Sequence, residues 1–433
     1  MSPIEIGFLI FLGLLCLLLL TGIPIAFGLA FMSAVGIFIV LGGSSALSVL
    51  ATVAYSAVSG FALTCIPLYI FMGSLITVTG LGSKLYGGMY KWLSWVPGGL
   101  AVASTVACGV FAAVSGSSVA TASVMSSLAL PEMKQRNYED SLATASIAAG
   151  GTLGILIPPS IPMIVYGIAT KTSIGELFLA GVIPGIMLMS LFVCYEIIAS
   201  LRGAAPVEEI KSLWKEKLIA LLDIAPFLLL IIFILGSIYA GIATPTEAAA
   251  VGVVVTMILG LAYRKLNIQK IWVALEVSTR TTAMLLMIIM GAMLFGYLLA
   301  AIDFPQSLVT LANEMEISRW WILIAINIIF IILGCFMETI SIIVICAPIV
   351  VPIIIQLGWD PVWFGVIMTI NMEMALITPP VGLNLFVVKD VAKDVELKTI
   401  IKGVVPFIII MAIAIVLVTL LPELALWLPD RMK

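Results

Sequence analysis

Long apolar runs, separated by short polar patches, recur from one end of the chain to the other. A helix needs ~20 apolar residues to cross a bilayer. On that scale the first half predicts spans near 4–20, 24–41 and 61–80, a hairpin-like stretch at 97–130, an interrupted span at 141–168 and a span at 178–201. The second half repeats the order: 224–240, 246–263, 281–300, a hairpin-like stretch at 321–356, an interrupted span at 361–388 and a span at 403–421. In each half a weaker segment, 44–58 or 264–280, precedes the third span and is expected to rest along the membrane surface. The second of these is basic and amphipathic, as such segments are.

The hairpin-like stretches fold back because their arms are marginal for a full crossing. Val114-Ser115-Gly116-Ser117-Ser118 lies at the middle of the first, and small hydroxylated residues suit a turn buried at membrane depth. Gly334-Cys335-Phe336-Met337-Glu338-Thr339 lies at the centre of the second, with Pro348 and Pro352 on its return arm. The interruptions are equally local: Gly150-Gly151-Thr152-Leu153-Gly154-Ile155-Leu156-Ile157-Pro158-Pro159-Ser160, and Ile377-Thr378-Pro379-Pro380-Val381-Gly382-Leu383-Asn384. Proline removes an amide donor and clashes with the preceding turn, while glycine permits unusual backbone angles. Backbone groups freed in this way inside a bilayer must find other partners. Matched interruptions in two halves mark a transporter's binding site.

Composition fits this picture. Of 433 residues, 63% are hydrophobic and 10% charged, against about 25% charged in soluble domains. The run Ile4 to Leu20 lacks a basic start and a small-residue cleavage site, and is read as a retained span. Histidine is absent, and the six cysteines (Cys16, Cys65, Cys108, Cys194, Cys335, Cys346) stand singly in apolar runs, so neither a metal cluster nor a disulfide framework is indicated. There is no Walker lysine motif and no nucleophile with a partner base, which excludes bond-breaking chemistry and ATP-driven pumping by this chain alone. An ion gradient is left as the energy source.

Charge placement orients the chain. With the amino terminus outside and each hairpin returning to its own side, 16 of the 20 basic residues fall on the inner face. Lys171, Arg319, Arg431 and Lys433 are the four outside, in keeping with the positive-inside rule. The first hairpin is then rooted at inner, basic flanks (Lys84, Lys91, Lys134, Arg136), and the second at outer, acidic ones (Asp303, Glu314, Glu316, Asp360). The halves are therefore inverted repeats, an arrangement that places sites near the midplane.

The freed carbonyls and hydroxyls at the first tip and break form an oxygen-only, nearly uncharged set suited to sodium. The half-helix restarting near Pro159 presents amides suited to an anion; a kinked helix packed by small residues is the bland alternative. In the second set Thr378 takes the place that Ile157 holds before the first Pro-Pro. Asn384 is either a donor to substrate or a cap of the restarting helix. A carboxylate at membrane depth is a functional candidate by default. Glu338 is that, or a wet tip residue; Glu373 is a proton or counter-ion site, or faces a polar partner. Thr244-Pro245-Thr246-Glu247 reads as a capped helix start, echoed weakly by Thr21-Gly22-Ile23-Pro24.

The stretch Gly150 to Gly185, GGTLGILIPPSIPMIVYGIATKTSIGELFLAGVIPG, resembles the large membrane subunit of tripartite ATP-independent periplasmic (TRAP) transporters, the DctM type. So do Ala113 to Ala120, Thr244 to Ala248 and Ile377 to Asn384, and the likeness covers essentially the whole chain. The resemblance implies an all-α integral membrane protein, an inverted-repeat elevator-type transporter with two re-entrant helical hairpins and two discontinuous helices. Transport-domain segments are expected at 61–201 and 281–400, with scaffold at 1–60 and 202–280 and a final span within 401–433. It implies sodium-coupled import of a small carboxylate (a C4-dicarboxylate, sialic acid or similar) across a bacterial inner membrane, with both termini periplasmic. The implied partners are a small four-helix membrane subunit (DctQ-type) and a periplasmic substrate-binding protein (DctP-type). Two sodium sites are expected, one from Ser115, Ser117, Gly151, Gly154, Ile157 and Pro159, the other from Gly334, Met337, Thr339, Thr378 and Pro379. Substrate is expected at Ser115, Gly116, Ser118, Ser160, Glu338 and Asn384. A stand-alone sodium/divalent-anion symporter and a passive channel are the rival readings.

Overall fold

The computed structural model describes residues 5–7, 9–14, 22–206 and 213–431. The expectations for Cys16, Thr21, Lys211 and much of the first span lie outside them.

The described residues form helices and no strands. After a short apolar helix α1 (Glu5–Leu14) come α2 (Ile25–Leu41), α3 (Gly43–Ser59), α4 (Cys65–Thr79) and α5 (Gly82–Leu93). The first hairpin is α6 (Gly99–Ser115) and α7 (Ser118–Gln135), and the first broken helix is α8 (Asp140–Leu156) and α9 (Ile161–Thr170), followed by α10 (Ile174–Ala199). The second half gives α11 (Trp214–Tyr239), α12 (Pro245–Ala262), α13 (Ile268–Ala301) and α14 (Phe304–Glu314). Its hairpin is α15 (Arg319–Gly334) and α16 (Thr339–Gln356), its broken helix α17 (Pro361–Leu376) and α18 (Leu383–Val391), and α19 (Leu397–Leu420) and α20 (Glu423–Asp430) close the chain. Eight helices among the described residues are long and apolar enough to cross a membrane.

Two expected boundaries move. Residues 264–280 are no separate surface element: from Ile268 they run on into α13, 34 residues long, which at 1.5 Å per residue is about 50 Å. No proline or glycine lies between Ile268 and Met290, so nothing stops the helix there. Helix α11 likewise starts at Trp214, ten residues before the apolar run that announced it.

Packing shows that the halves are inverted. Helix α8 starts beside the root of the first hairpin and, past the break, α9 ends where the Tyr166 hydroxyl donates to the Pro361 carbonyl (2.6 Å), at the root of the second hairpin. Conversely α17 starts at Pro361, and α18 leads to Asp394, whose carboxylate pairs with Lys134 (2.5 Å) at the root of the first. The two roots therefore sit at opposite ends of the broken helices. The second half of each broken helix packs on the return arm of the other repeat's hairpin, α9 on α16 and α18 on α7.

Helix α8 is the buried axis. Its residues from Leu142 to Leu156 are all buried. Between helices in lipid, close backbone approach through small residues replaces the hydrophobic drive available in water, and α8 is rich in Ala, Gly, Ser and Thr. A Cβ on Gly154 would stand 2.7 Å from the Ala112 Cβ. From the facing helix α19, one on Gly403 would stand 2.2 Å from the Ser141 carbonyl oxygen.

Candidate functional site

Both hairpins turn in a few residues. Gly116 takes a left-handed conformation (φ 64°) between α6 and α7, and Ser117 caps α7 by accepting from the Ala120 amide (3.3 Å). Thr121 donates to the Ser117 carbonyl (2.8 Å) and stands 3.0 Å from the Ser115 hydroxyl, so hydroxyls help tie the tip. At the second tip Glu338 precedes α16 without a side-chain cap bond, and the Cys335 thiol lies 3.4 Å from the Pro379 carbonyl.

The breaks match. Helix α8 stops at Leu156 and α9 restarts at Ile161 with Ser160 as cap, its oxygen 3.4 Å from the Met163 amide. Helix α17 stops at Leu376 and α18 restarts at Leu383 behind left-handed Gly382. Each break contains a cis Pro-Pro bond, 158–159 and 379–380. Thr378 turns back to the Met374 carbonyl (2.6 Å).

These pieces meet a wall made by α4 and α13 around a cavity of about 310 Å³, at the lower end of small-ligand sites. The N-terminal ends of four helices face it: α7 with Ser117 to Ala120, α9 with Ile161 and Pro162, α16 with Thr339 and Ile340, α18 with Leu383. Such ends carry unpaired amides and about half a positive charge each. The wall supplies Gly73, Ser74 and Thr77 from α4, and Thr281 and Met284 from α13. The Ser278 hydroxyl donates to Ser74 (3.3 Å) and holds those two helices together. Glu338 is the one carboxylate in the lining, which contains no Lys or Arg.

Of the residues expected at the site, Ser115, Gly116, Ser117, Ser118, Glu338 and Thr339 line this cavity. Gly151, Gly154, Ile157, Pro159, Gly334, Met337, Thr378 and Pro379 belong to the helix ends and loops around it without lining it. Ser160 is buried as a cap. Asn384 is fully buried, donating to the Ala148 carbonyl of α8 (3.2 Å). The donors around both breaks are neutral oxygens, and the Thr339 and Ser341 hydroxyls are buried with no hydrogen-bond partner. This set fits a hard monovalent cation held by carbonyls and hydroxyls. Among the described residues no His/Cys/Asp/Glu cluster of the kind that holds a transition metal occurs.

Two features were not anticipated. The wall residues Gly73, Ser74 and Thr281 carried no motif, although adjacent small residues inside an apolar helix are a usable signal for close approach. A fully buried carboxylate, Glu196 on α10, accepts from the Thr105 hydroxyl of α6. Sequence placed Glu196 near a span's end, where a charge is unremarked.

Comparison with known proteins agrees with this architecture. Residues 12–424 match the family described as the tripartite ATP-independent periplasmic transporter, DctM component. The chain is 40% identical over 372 residues, 86% of either chain, to the C4-dicarboxylate TRAP transporter large permease protein DctM of Pseudomonas aeruginosa. It is 32% identical to the sialic acid TRAP transporter large permease protein SiaM of Vibrio cholerae, over 95% of this chain and 96% of that one. The Alcanivorax borkumensis YdaH transporter, whose crystal structure was described as having an unusual topology, shares the fold at a TM-score of 0.61 and 13% identity, covering 89% of this chain and 91% of its own. By a match over nearly its whole length, the chain belongs to the DctM family, the large membrane component of tripartite ATP-independent periplasmic transporters.

Proposed function

We propose that this chain imports a small organic acid in symport with sodium, the acid being delivered by a periplasmic binding protein. The observation that carries this reading is a cavity ringed by four helix N-termini and lacking any basic side chain. Amide ends attract an anion, but a carboxylate beside Glu338 still lacks a full positive charge. Cations bound in the neutral-oxygen cradles at the two breaks would supply it, and binding of the acid would then depend on sodium. Relatives that carry C4-dicarboxylates or sialic acid in their names support a carboxylate substrate.

The motion in this proposal is an elevator. The hairpins and broken helices slide as one body along the wall of α4 and α13, carrying the cavity from one face to the other. The inner face is the one at Lys134 and Lys389, where the basic loops collect, which leaves both termini periplasmic. The tripartite family supports two partners, a DctQ-type small membrane subunit and a DctP-type binding protein.

The test is uptake into proteoliposomes containing the large and small membrane subunits, with the genomically neighbouring binding protein loaded with its own ligand. Uptake is expected to need both the binding protein and an inward sodium gradient. Equal uptake without the gradient would sink the coupling. Uptake by this chain alone would favour the stand-alone symporter.

A further inference from the structure

Glu373 is the buried acid that the cavity leaves unexplained. It sits on α17, before the second break, with no exposed surface. None of the ion pairs among the described residues includes it. Its partner belongs to the other repeat: the Ser118 hydroxyl, first residue of α7 at the first hairpin tip, lies 3.0 Å from Oε1 and 2.8 Å from Oε2. One hydroxyl has one proton, so a carboxylate facing it keeps most of its lone pairs and all of its charge. An unpaired charge at this depth is costly, and such groups are either neutralised or functional.

A second buried oxygen lies just past the second break. Asn384, on α18 just past the second break, spends its amide nitrogen on the Ala148 carbonyl, and its Oδ1 is buried without a hydrogen-bond partner. Gly151 holds these groups open. A Cβ there would stand 3.2 Å from the Ser118 carbonyl oxygen, 3.3 Å from the Asn384 amide nitrogen and 3.0 Å from the Ala122 Cβ. Hairpin tip, first break and second break thus pack together around Gly151, with the Glu373 carboxylate on the Ser118 hydroxyl and the Asn384 amide alongside. That is the oxygen-only, singly charged donor set that a hard monovalent cation takes.

We propose that Glu373, Ser118 and Asn384 form a further sodium site at the crossing of the two repeats, in addition to the cradles at the breaks. This inference rests on the sodium-coupled reading above and deepens it. A cation here draws its ligands from both halves, so its loss loosens the hairpin tip of one repeat from the broken helix of the other. Glu373 supplies the charge, Ser118 and Asn384 the neutral oxygens.

The test is equilibrium binding of radioactive sodium to the purified transporter, the large and small subunits together in detergent, with sodium alone as the probe. Wild type against Glu373→Gln is expected to show one sodium fewer per chain in the variant. Glu373→Asp is expected to keep the wild-type number at roughly tenfold weaker affinity for one site. Because Glu373→Gln can fail to fold, Asn384→Ala provides a second arm that leaves the carboxylate in place, with one site weakened about tenfold. An unchanged number of ions in Glu373→Gln, or in Asn384→Ala with unchanged affinities, overturns the inference and makes Glu373 a neutral acid bonded to Ser118. No sodium binding by the wild type overturns instead the coupling on which the inference stands.

Discussion

At the scale of single residues, the interior is governed by two demands, closeness and neutralised polarity. Gly334 illustrates the first: a Cβ there would stand 2.2 Å from the Ala375 Cβ. Overpacking of this kind costs about 1–3 kcal/mol, so Gly334→Ala should lower the melting temperature of the detergent-purified protein, and Ala375→Gly in the same chain should restore part of the loss. Glu196 illustrates the second. Thr105→Val strips the hydroxyl that Glu196 accepts from and leaves the acid less satisfied, a loss of about 1–3 kcal/mol. Thr105→Ser keeps the hydroxyl and should melt close to wild type; equal destabilisation by both would show that the methyl group, not the bond, matters. Sequence could flag Glu338 and Glu373 because a carboxylate in an apolar run stands out. It could not pair Glu373 with Ser118, 255 positions away, since nothing local encodes which helices cross.

At the scale of elements, breaks and turns were legible because proline and glycine act on their own backbone. Pro158 to Ser160 and Pro379 to Gly382 interrupt helices where the residues themselves forbid continuation. The start of α12 was legible for the same reason. Thr244 caps it and Glu247 reaches back to the Thr244 amide (2.8 Å). Thr244→Ala should cost about 1 kcal/mol, read as a lowered melting temperature. Helix ends lacking such residues were misjudged: α13 runs through a change from polar to apolar that only hydropathy marked. The loop after α18 adds a pH-dependent contact, because the hydrogen bond from Lys134 holds the Asp394 carboxyl below the usual aspartate range. A lowered folded value means that the pair stabilises above the ordinary aspartate range and stops doing so as pH falls through the lowered value. The melting difference between wild type and Asp394→Asn should therefore shrink from pH 7 towards pH 3. It should shrink in high salt too, as expected of an exposed pair.

At the scale of the whole molecule, the cavity lies between the wall of α4 and α13 and the body of hairpins and broken helices, and the contact between them is tight. A Cβ on Gly73 of α4 would stand 2.6 Å from the Ser115 carbonyl oxygen at the first hairpin tip. Backbone cannot yield as a side chain does, so Gly73→Ala should obstruct sliding at that contact. If the ~1–3 kcal/mol of overpacking falls on the barrier to movement, at about 1.4 kcal/mol per factor of ten, uptake slows roughly 5- to 150-fold. Transport at the wild-type rate in Gly73→Ala proteoliposomes would mean that the tip and α4 do not pass each other under load. The repeat order, the two tips and the two breaks could be read from composition and spacing alone. The wall could not, because Ser74 and Thr281 acquire meaning only when α4 and α13 come together.

Crosswise packing also sets an order of events during synthesis. The return arm 118–135 leans on α18, and α9 leans on α16, so α9 meets its cross-repeat partner only once translation passes residue 356, and the return arm only once it passes residue 391. Until then those faces of the first hairpin and of the first broken helix lack their cross-repeat cover. Chains truncated between residues 356 and 391 are therefore expected to lose α7's cover while keeping α9's, read as proteolysis within 118–135 but not within 161–170.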